Sequence, residues 1–170
     1  ILVTAHRREN FGKPLESICE ALKLLALRGD VEIVYPVHLN PNVQEPVYRL
    51  LGNTPHVTLL PPLDYLPLVH LMKKATIVLT DSGGMQEETT ALGVPCLTLR
   101  ENTERPITVD HGTNTLVGRD RRAIERAVDE ILSGGGKCGR VPELWDGRAA
   151  ERIAAHLAAW LAARRVEVDA

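Results

Sequence analysis

The residues best equipped for chemistry fall in four polar clusters: His6-Arg7-Arg8-Glu9-Asn10, His38-Leu39-Asn40, Asp81-Ser82-Gly83-Gly84 and Arg100-Glu101-Asn102-Thr103-Glu104-Arg105. The third reads as an anion site. Ser82-Gly83-Gly84 lies between a predicted strand and a predicted helix. Two glycines allow tight or positive-φ backbone and the close approach of a ligand. The helix that follows offers unpaired N–H groups and the positive end of its dipole. Such a site takes a phosphate group, most commonly a diphosphate. An ordinary strand-to-helix turn with Ser82 as N-cap accounts for the same residues equally well. The pattern is neither G-x-G-x-x-G nor G-x-x-x-x-G-K-[ST], which disfavours NAD and P-loop readings. Glu88 follows Gly84 by four residues, one turn into the same helix. A carboxylate there repels phosphate but accepts hydrogen bonds from a vicinal diol, such as that of a ribose. Its alternative is a helix-dipole carboxylate, a part that Glu87 can also play. Arg105 can neutralise a diphosphate bidentately, or stand as a solvated loop charge.

His6 directly follows the first apolar run, so it can face a crevice as an acid or base near neutral pH. Arg7 or Arg8 beside it disfavours the imidazolium form. The alternative is a loop histidine among surface arginines. His38 ends the second apolar run in the same way. His56, His70, His111 and His156 have no such placement and read as structural or surface residues. His6 and His38 have no carboxylate partners in the sequence pattern, so no metal site and no cofactor are expected. Cys19, Cys96 and Cys138 are odd in number and widely spaced, with no C-x-x-C pair, which supports neither a disulfide framework nor zinc. Cys96, amid apolar residues, reads as a packing residue.

These clusters need elements to hold them. Strands are predicted at Ile1–Ala5, Val31–Val37, Val57–Leu60, Thr76–Thr80, Pro95–Leu99 and Asn114–Val117. Between them, helices are predicted from Pro14 to Gly29, Pro41 to Leu51, Asp64 (as cap) to Lys73 or Lys74 and Met85 to Leu92, with another from Ile124 to Leu132. Alternation of this kind gives an α/β fold: an open parallel Rossmann-like sheet with helices on both faces. Ligands in such sheets bind beyond the carboxyl ends of the strands, where all four clusters fall. A further Ala-rich helix is expected over 148–165, with Ile153, Leu157, Trp160 and Leu161 at helical spacing. Its apolar face packs on the domain's own sheet or reaches toward a neighbouring domain.

Length and composition agree with a globular reading. The chain has 170 residues, 44% hydrophobic and 25% charged, the size of one domain. Twenty Lys and Arg against 22 Asp and Glu give a net charge of −2, so the basic excess of a nucleic-acid domain is absent. No apolar run approaches the ~20 residues that span a bilayer, and no signal peptide is seen, so a cytoplasmic protein without membrane attachment is expected. Two Trp, three Tyr and one Phe leave an aliphatic core. The chain opens on a strand without an initiator Met, which reads as a piece of a longer protein.

Four ordered motifs carry a resemblance: His6-Arg7-Arg8-Glu9-Asn10-Phe11-Gly12, Tyr35-Pro36-Val37-His38, Thr80-Asp81-Ser82-Gly83-Gly84-Met85-Gln86-Glu87-Glu88 and Asn102-Thr103-Glu104-Arg105-Pro106. Together they resemble the UDP-N-acetylglucosamine 2-epimerase family, over nearly the whole chain but only over the carboxyl-terminal half of a family member. The resemblance implies the carboxyl-terminal domain of a GT-B-type two-domain enzyme, with substrate between the halves. It implies interconversion of UDP-GlcNAc and UDP-ManNAc by anti elimination of UDP and its re-addition. Carried over by position, Ser82, Gly83 and Gly84 hold the diphosphate, Glu88 the ribose hydroxyls, and Arg105 lies against the phosphates. His6 stands near sugar and diphosphate as a catalytic group. Arg7 and His38 resemble residues that contact a second, activating UDP-GlcNAc in non-hydrolysing members. The uracil-pocket positions are Leu63 and Leu68. Leu68 can pack on a base without stacking, and Leu63 offers only backbone groups, which implies a weaker hold on the base. Ile107 replaces the Glu that many members carry after Arg-Pro. The carboxylates that move the C2 proton belong to the missing amino-terminal half. The full-length enzyme is expected to be a homodimer, and the isolated chain to bind UDP weakly without turnover. The alternatives are a hydrolysing epimerase releasing ManNAc and UDP, a GT-B glycosyltransferase and a non-catalytic UDP-sugar-binding module.

Overall fold

In the computed structural model, which describes residues 1–168, six strands form one sheet in the order β3-β2-β1-β4-β5-β6. They are β1 (Leu2–Thr4), β2 (Ile33–Pro36), β3 (Val57–Leu60), β4 (Val78–Thr80), β5 (Cys96–Thr98) and β6 (Asn114–Leu116). Every neighbouring pair is parallel. The helices are α1 (Lys13–Leu27), α2 (Pro41–Leu51), α3 (Tyr65–Lys74), α4 (Gly83–Leu92), α5 (Pro106–Asp110), α6 (Arg121–Leu132) and α7 (Ala149–Val168). The expected α/β fold, a parallel sheet flanked by helices, is present. Its strand order is that of a Rossmann sheet, whose direction of winding reverses between β1 and β4.

Alternation along the short strands explains the two layers. Val3, Ala5, Ile77 and Leu79 point to one face and meet Leu15, Ile18 and Leu22 of α1, Val43 and Val47 of α2, and Ile124 and Val128 of α6. Leu2 and Val78 point to the other and meet Met72 of α3 and Met85 of α4. The first layer is mostly aliphatic, and its one fully buried aromatic is Tyr35, whose hydroxyl donates to the Ala5 carbonyl at 2.7 Å. Burying each Leu or Ile of this kind contributes roughly 1.5–3 kcal/mol. Cys96 is buried and its thiol is pushed up to about 11 by burial, which fits a packing residue. Cys19 is likewise buried, and burial pushes its thiol to about 12.

Two elements depart from the sequence reading. A short 3-10 turn, Arg8–Asn10, follows β1, and the five-residue α5 opens at Pro106. Both lie inside polar clusters, where hydrophobic periodicity has nothing to register. Asp64 occupies the N-cap of α3 as expected but makes no side-chain cap hydrogen bond, so it does not cap in the chemical sense. The chain divides into two compact units, Ile1–Arg140 and a shorter one beginning at Val141. The second holds α7, on which Ile153, Leu157, Trp160 and Leu161 are exposed. Among the described residues no helix is long and apolar enough to cross a membrane.

Candidate functional site

All strands run the same way, so their carboxyl ends share one edge. At the winding reversal, β1 delivers His6 and β4 delivers Asp81-Ser82. A cavity of about 300 Å³ opens there. His6, His38, Leu63, Leu68, Ser82, Gly84 and Glu88 all line it, with Thr4, Tyr65 and Met85 among its other walls. Seven residues singled out from sequence therefore converge on one space. Arg7, Gly83 and Arg105 are not in its lining.

The glycines work differently from the expectation. They are the first two residues of α4, not a loop before it, and neither has a positive φ. A Cβ on Gly84 would come no nearer than 3.9 Å to any neighbouring heavy atom, and one on Gly83 no nearer than 4.0 Å. The residue type thus leaves open space in front of the backbone rather than permitting a special turn. Ser82 occupies the N-cap position of α4, as the alternative had it, but its side chain makes no cap hydrogen bond, so its hydroxyl is uncommitted. The Ser82 amide is taken by Thr80 Oγ1 at 3.0 Å. Among the described residues the amides of Gly83 and Gly84 find no acceptor within the protein. Two free N–H groups and a positive dipole end face open space there.

Glu88 is partly buried, and its carboxyl is raised above the ordinary value by burial, with Glu87 adding to the shift and the Tyr65 hydroxyl opposing it. Arg105 does not reach the cavity as expected. Its Nε lies 2.9 Å from Glu87 Oε1, so the two neighbouring carboxylates divide their roles: Glu88 faces the cavity and Glu87 holds the arginine. Arg105 still stands over the start of α4, with its Cγ the nearest atom to the Gly83 position.

His6 and His38 stack, with ring centroids 5.1 Å apart and planes within 8°. The His6 imidazole has its pKa lowered, chiefly by burial; Asp81 opposes this, while His38 and then Arg7 add to it. The direction agrees with the sequence reading, but Arg7 is the smallest cause. The Arg7 side chain approaches Glu104 closely enough to favour that carboxylate.

Two residues of consequence escaped the sequence reading. Asp81, fully buried, accepts from the backbone N–H of His6 at 2.9 Å, from that of Arg7 at 2.8 Å and from Asn10 Nδ2 at 2.8 Å, all on Oδ2. Its Oδ1 lies 3.8 Å from His6 Nδ1, which corrects the view that His6 lacks a carboxylate partner. A signal existed: a carboxylate beside an anion site repels the anion unless it serves another group. Gln86 is also fully buried. Its Oε1 accepts from Thr103 Oγ1 at 2.5 Å and Asn114 Nδ2 at 3.2 Å, and Thr103 Oγ1 accepts from Arg105 N at 2.9 Å. This chain of bonds fixes the Arg105 loop against α4. No periodicity marks it, because its members are far apart in sequence.

The fourth cluster is partly spent on the fold. Arg100, only 5% exposed, donates bidentately to Glu104 at 2.8 and 2.9 Å and through Nε to Glu9 at 2.6 Å. It ties the 3-10 turn to the loop before α5, and its hydrogen bonds hold the Glu104 carboxyl down at about 2. Among the described residues no group of three or more His, Cys, Asp and Glu is arranged to hold a metal ion.

The chain as a whole is similar to known proteins. The family model described as UDP-N-acetylglucosamine 2-epimerase matches residues 1–158. The UDP-N-acetylglucosamine 2-epimerase of Salmonella typhimurium is 55% identical over 133 residues, which are 78% of this chain and 35% of that protein. That of Campylobacter jejuni is 47% identical over 158 residues, 90% of this chain and 41% of that protein. The crystal structure of UDP-GlcNAc 2-epimerase from Neisseria meningitidis bound to UDP-GlcNAc superposes with a TM-score of 0.87 at 39% identity, over 92% of this chain and 43% of that one. The S. aureus MnaA–UDP structure gives 0.82 at 37% identity, over 94% and 45%. The E. coli heptosyltransferase WaaC with ADP, at 22% identity and a TM-score of 0.60, shares the fold. These neighbours are GT-B proteins, and the match falls on their carboxyl-terminal half. The chain thus spans well under half the length of the relatives it matches. With its fold, its ordered motifs and these likenesses in agreement, the chain belongs to the UDP-N-acetylglucosamine 2-epimerase family.

Proposed function

We propose that this chain is the nucleotide-binding half of a non-hydrolysing UDP-GlcNAc 2-epimerase, which interconverts UDP-GlcNAc and UDP-ManNAc by eliminating UDP and adding it back. The observation that carries this reading is the single cavity that joins the open amino end of α4, Glu88 one turn further on, and the His6 imidazole. The amides of Gly83 and Gly84 and the Ser82 hydroxyl take the diphosphate. Glu88 accepts from the ribose diol, and Leu63 and Leu68 pack along the base. His6 stands by the bond between sugar and diphosphate, where it eases the departure and return of UDP. His38, stacked on His6, and Arg7 contact a second UDP-GlcNAc that activates the enzyme, and this favours the non-hydrolysing reading over a hydrolysing one. The full-length protein is a homodimer whose amino-terminal domain supplies the carboxylates that move the C2 proton. The exposed apolar residues of α7 are suited to reach that domain.

Calorimetry with UDP tests the site directly: binding of UDP, but not of uridine, is expected from a cradle built for a diphosphate. A radiolabelled epimerase assay on these 170 residues is expected to give no turnover, since the C2 chemistry needs groups from the other half. Clear turnover sinks the divided site. Product analysis by NMR on the full-length enzyme separates UDP-ManNAc, the non-hydrolysing product, from free ManNAc with UDP.

The Arg105–Glu87 pair makes a separate prediction. Both side chains are about two-fifths exposed, so the pair is weak, yet it competes with the diphosphate for the arginine. Glu87→Gln is expected to tighten UDP binding by about threefold at low salt, with the gain shrinking as ionic strength rises. An unchanged or weaker affinity removes Arg105 from the phosphate site.

A further inference from the structure

Asp81 has one oxygen fully engaged and one left over. Oδ2 receives three N–H groups, whereas Oδ1 is buried and meets no donor. A carboxylate oxygen sealed from water without a donor is costly, and a fold retains one where a donor comes to it. The group in reach is His6 Nδ1, 3.8 Å away, about 1 Å beyond a hydrogen bond. The imidazole, on a side chain 39% exposed, rests instead on the face of His38. His6 therefore has two neighbours, an aromatic ring and a carboxylate oxygen, separated by a small ring movement.

We propose that Asp81 is the positioning residue of His6: its Oδ1 receives the Nδ1–H of the imidazole and leaves Nε2 as the nitrogen that serves the cavity. This rests on the reading of His6 as the group beside the sugar–diphosphate bond and adds how its working nitrogen is chosen. The second ring nitrogen is fixed by what the first one bonds. With Nδ1–H given to Asp81, Nε2 faces the cavity with a lone pair in the neutral ring and, once the ring takes up a proton, with an N–H that donates to a departing phosphate oxygen. Once the ring is protonated, Asp81 attracts it, while His38 and Arg7, the other charged or titratable groups acting on it, repel it. The charged ring thus moves from His38 toward Asp81. Asp81 also sits one residue before Ser82, and its Oδ2 bonds lock the end of β1 to the end of β4. One side chain therefore registers the imidazole against the start of α4.

Long-range proton–nitrogen NMR on this chain tests the idea. His6 is expected as the Nδ1–H tautomer, although the Nε2–H form predominates for histidine in water. His38 is an internal contrast: its Nδ1 accepts from the Asn40 amide at 3.0 Å, so it is expected as Nε2–H. Asp81→Asn keeps an oxygen for the three N–H groups but presents an amide N–H to His6. It is expected to switch His6 to Nε2–H and to lower its titration midpoint by about one pH unit. An Nε2–H tautomer at His6 in the unsubstituted chain overturns the proposal, as does an unmoved tautomer in folded Asp81→Asn. Should that variant not fold, the tautomer of the unsubstituted chain decides alone. UDP calorimetry on the same sample keeps the two readings apart: an Nδ1–H tautomer without UDP binding sustains the Asp81–His6 pairing and removes the nucleotide site.

Discussion

Ser82→Asp abolishes UDP binding and leaves the fold intact; this is the largest functional effect expected of a single substitution. The Ser82 side chain makes no hydrogen bond to cap α4 and lines the cavity beside the open backbone of Gly84. An aspartate there sets a negative charge about 4 Å from the diphosphate. At an effective dielectric of about 20, two unit charges at that distance repel by about 4 kcal/mol, close to a thousandfold in affinity. The helix itself does not suffer, because aspartate is among the preferred N-cap residues, so the melting temperature holds or rises. Ser82→Ala is the mild partner: losing one neutral hydrogen bond costs about 1 kcal/mol, roughly fivefold. Calorimetry with UDP and thermal melts by circular dichroism read both. Unchanged affinity in Ser82→Asp removes the amino end of α4 from the nucleotide site.

The largest loss of stability is expected at Gly112. A Cβ there would sit 2.3 Å from Thr90 Oγ1 and 2.6 Å from the Thr108 carbonyl oxygen. The first is a side-chain atom, but Thr90 Cγ2 also lies at 2.6 Å, so turning that side chain exchanges one clash for another, and the Thr108 oxygen is backbone of α5. The contact continues on the other side, where a Cβ on Gly139 would meet the Gly112 carbonyl carbon at 2.3 Å. Gly112→Ala should therefore destabilise by about 3 kcal/mol, the upper range for overpacking, and lower the melting temperature by roughly 10 °C. Gly139→Ala should behave alike, and the double variant should cost less than the two together, since one substitution already forces these peptides apart. Urea titrations of the three variants check this; a loss under about 0.5 kcal/mol for Gly112→Ala means that α4 and α5 are not packed this closely.

Gly112 shows what kind of information the sequence lacks. It sits in His111-Gly112-Thr113, which reads only as a loop, and its need for a bare Cα arises from the Thr108 carbonyl and from Thr90, which lies more than twenty residues earlier in the chain. Asp81 and Gln86 are alike in this. Each looks like a polar residue near a helix start, and each is fully buried because partners from the segment after β1, the Arg105 loop or β6 converge on it. Arg105 itself was legible as a cation for phosphate, yet its ion pair with Glu87 follows from where the loop after β5 comes to rest on α4.

The alternating elements, the parallel sheet and the edge where the polar clusters gather are all legible in the residue pattern. Those features follow from local causes: apolar runs of strand length, helical spacing such as Leu15-Ile18-Leu22-Leu25, and the break residues between them. Five cavity residues, His6, His38, Ser82, Gly84 and Glu88, were legible from their place after a strand or in the helix beside it, since parallel strands send those positions to one edge; Leu63 and Leu68 came only through the family resemblance. Tertiary structure alone decided which charges pair and which stay free: Arg100 with Glu9 and Glu104, Arg105 with Glu87, and Asp81 beneath His6. The physical reason is range. Strand and helix patterns are set by neighbours within about a turn, whereas burial and hydrogen-bond partners are set by residues that only the folded sheet brings within 3 Å.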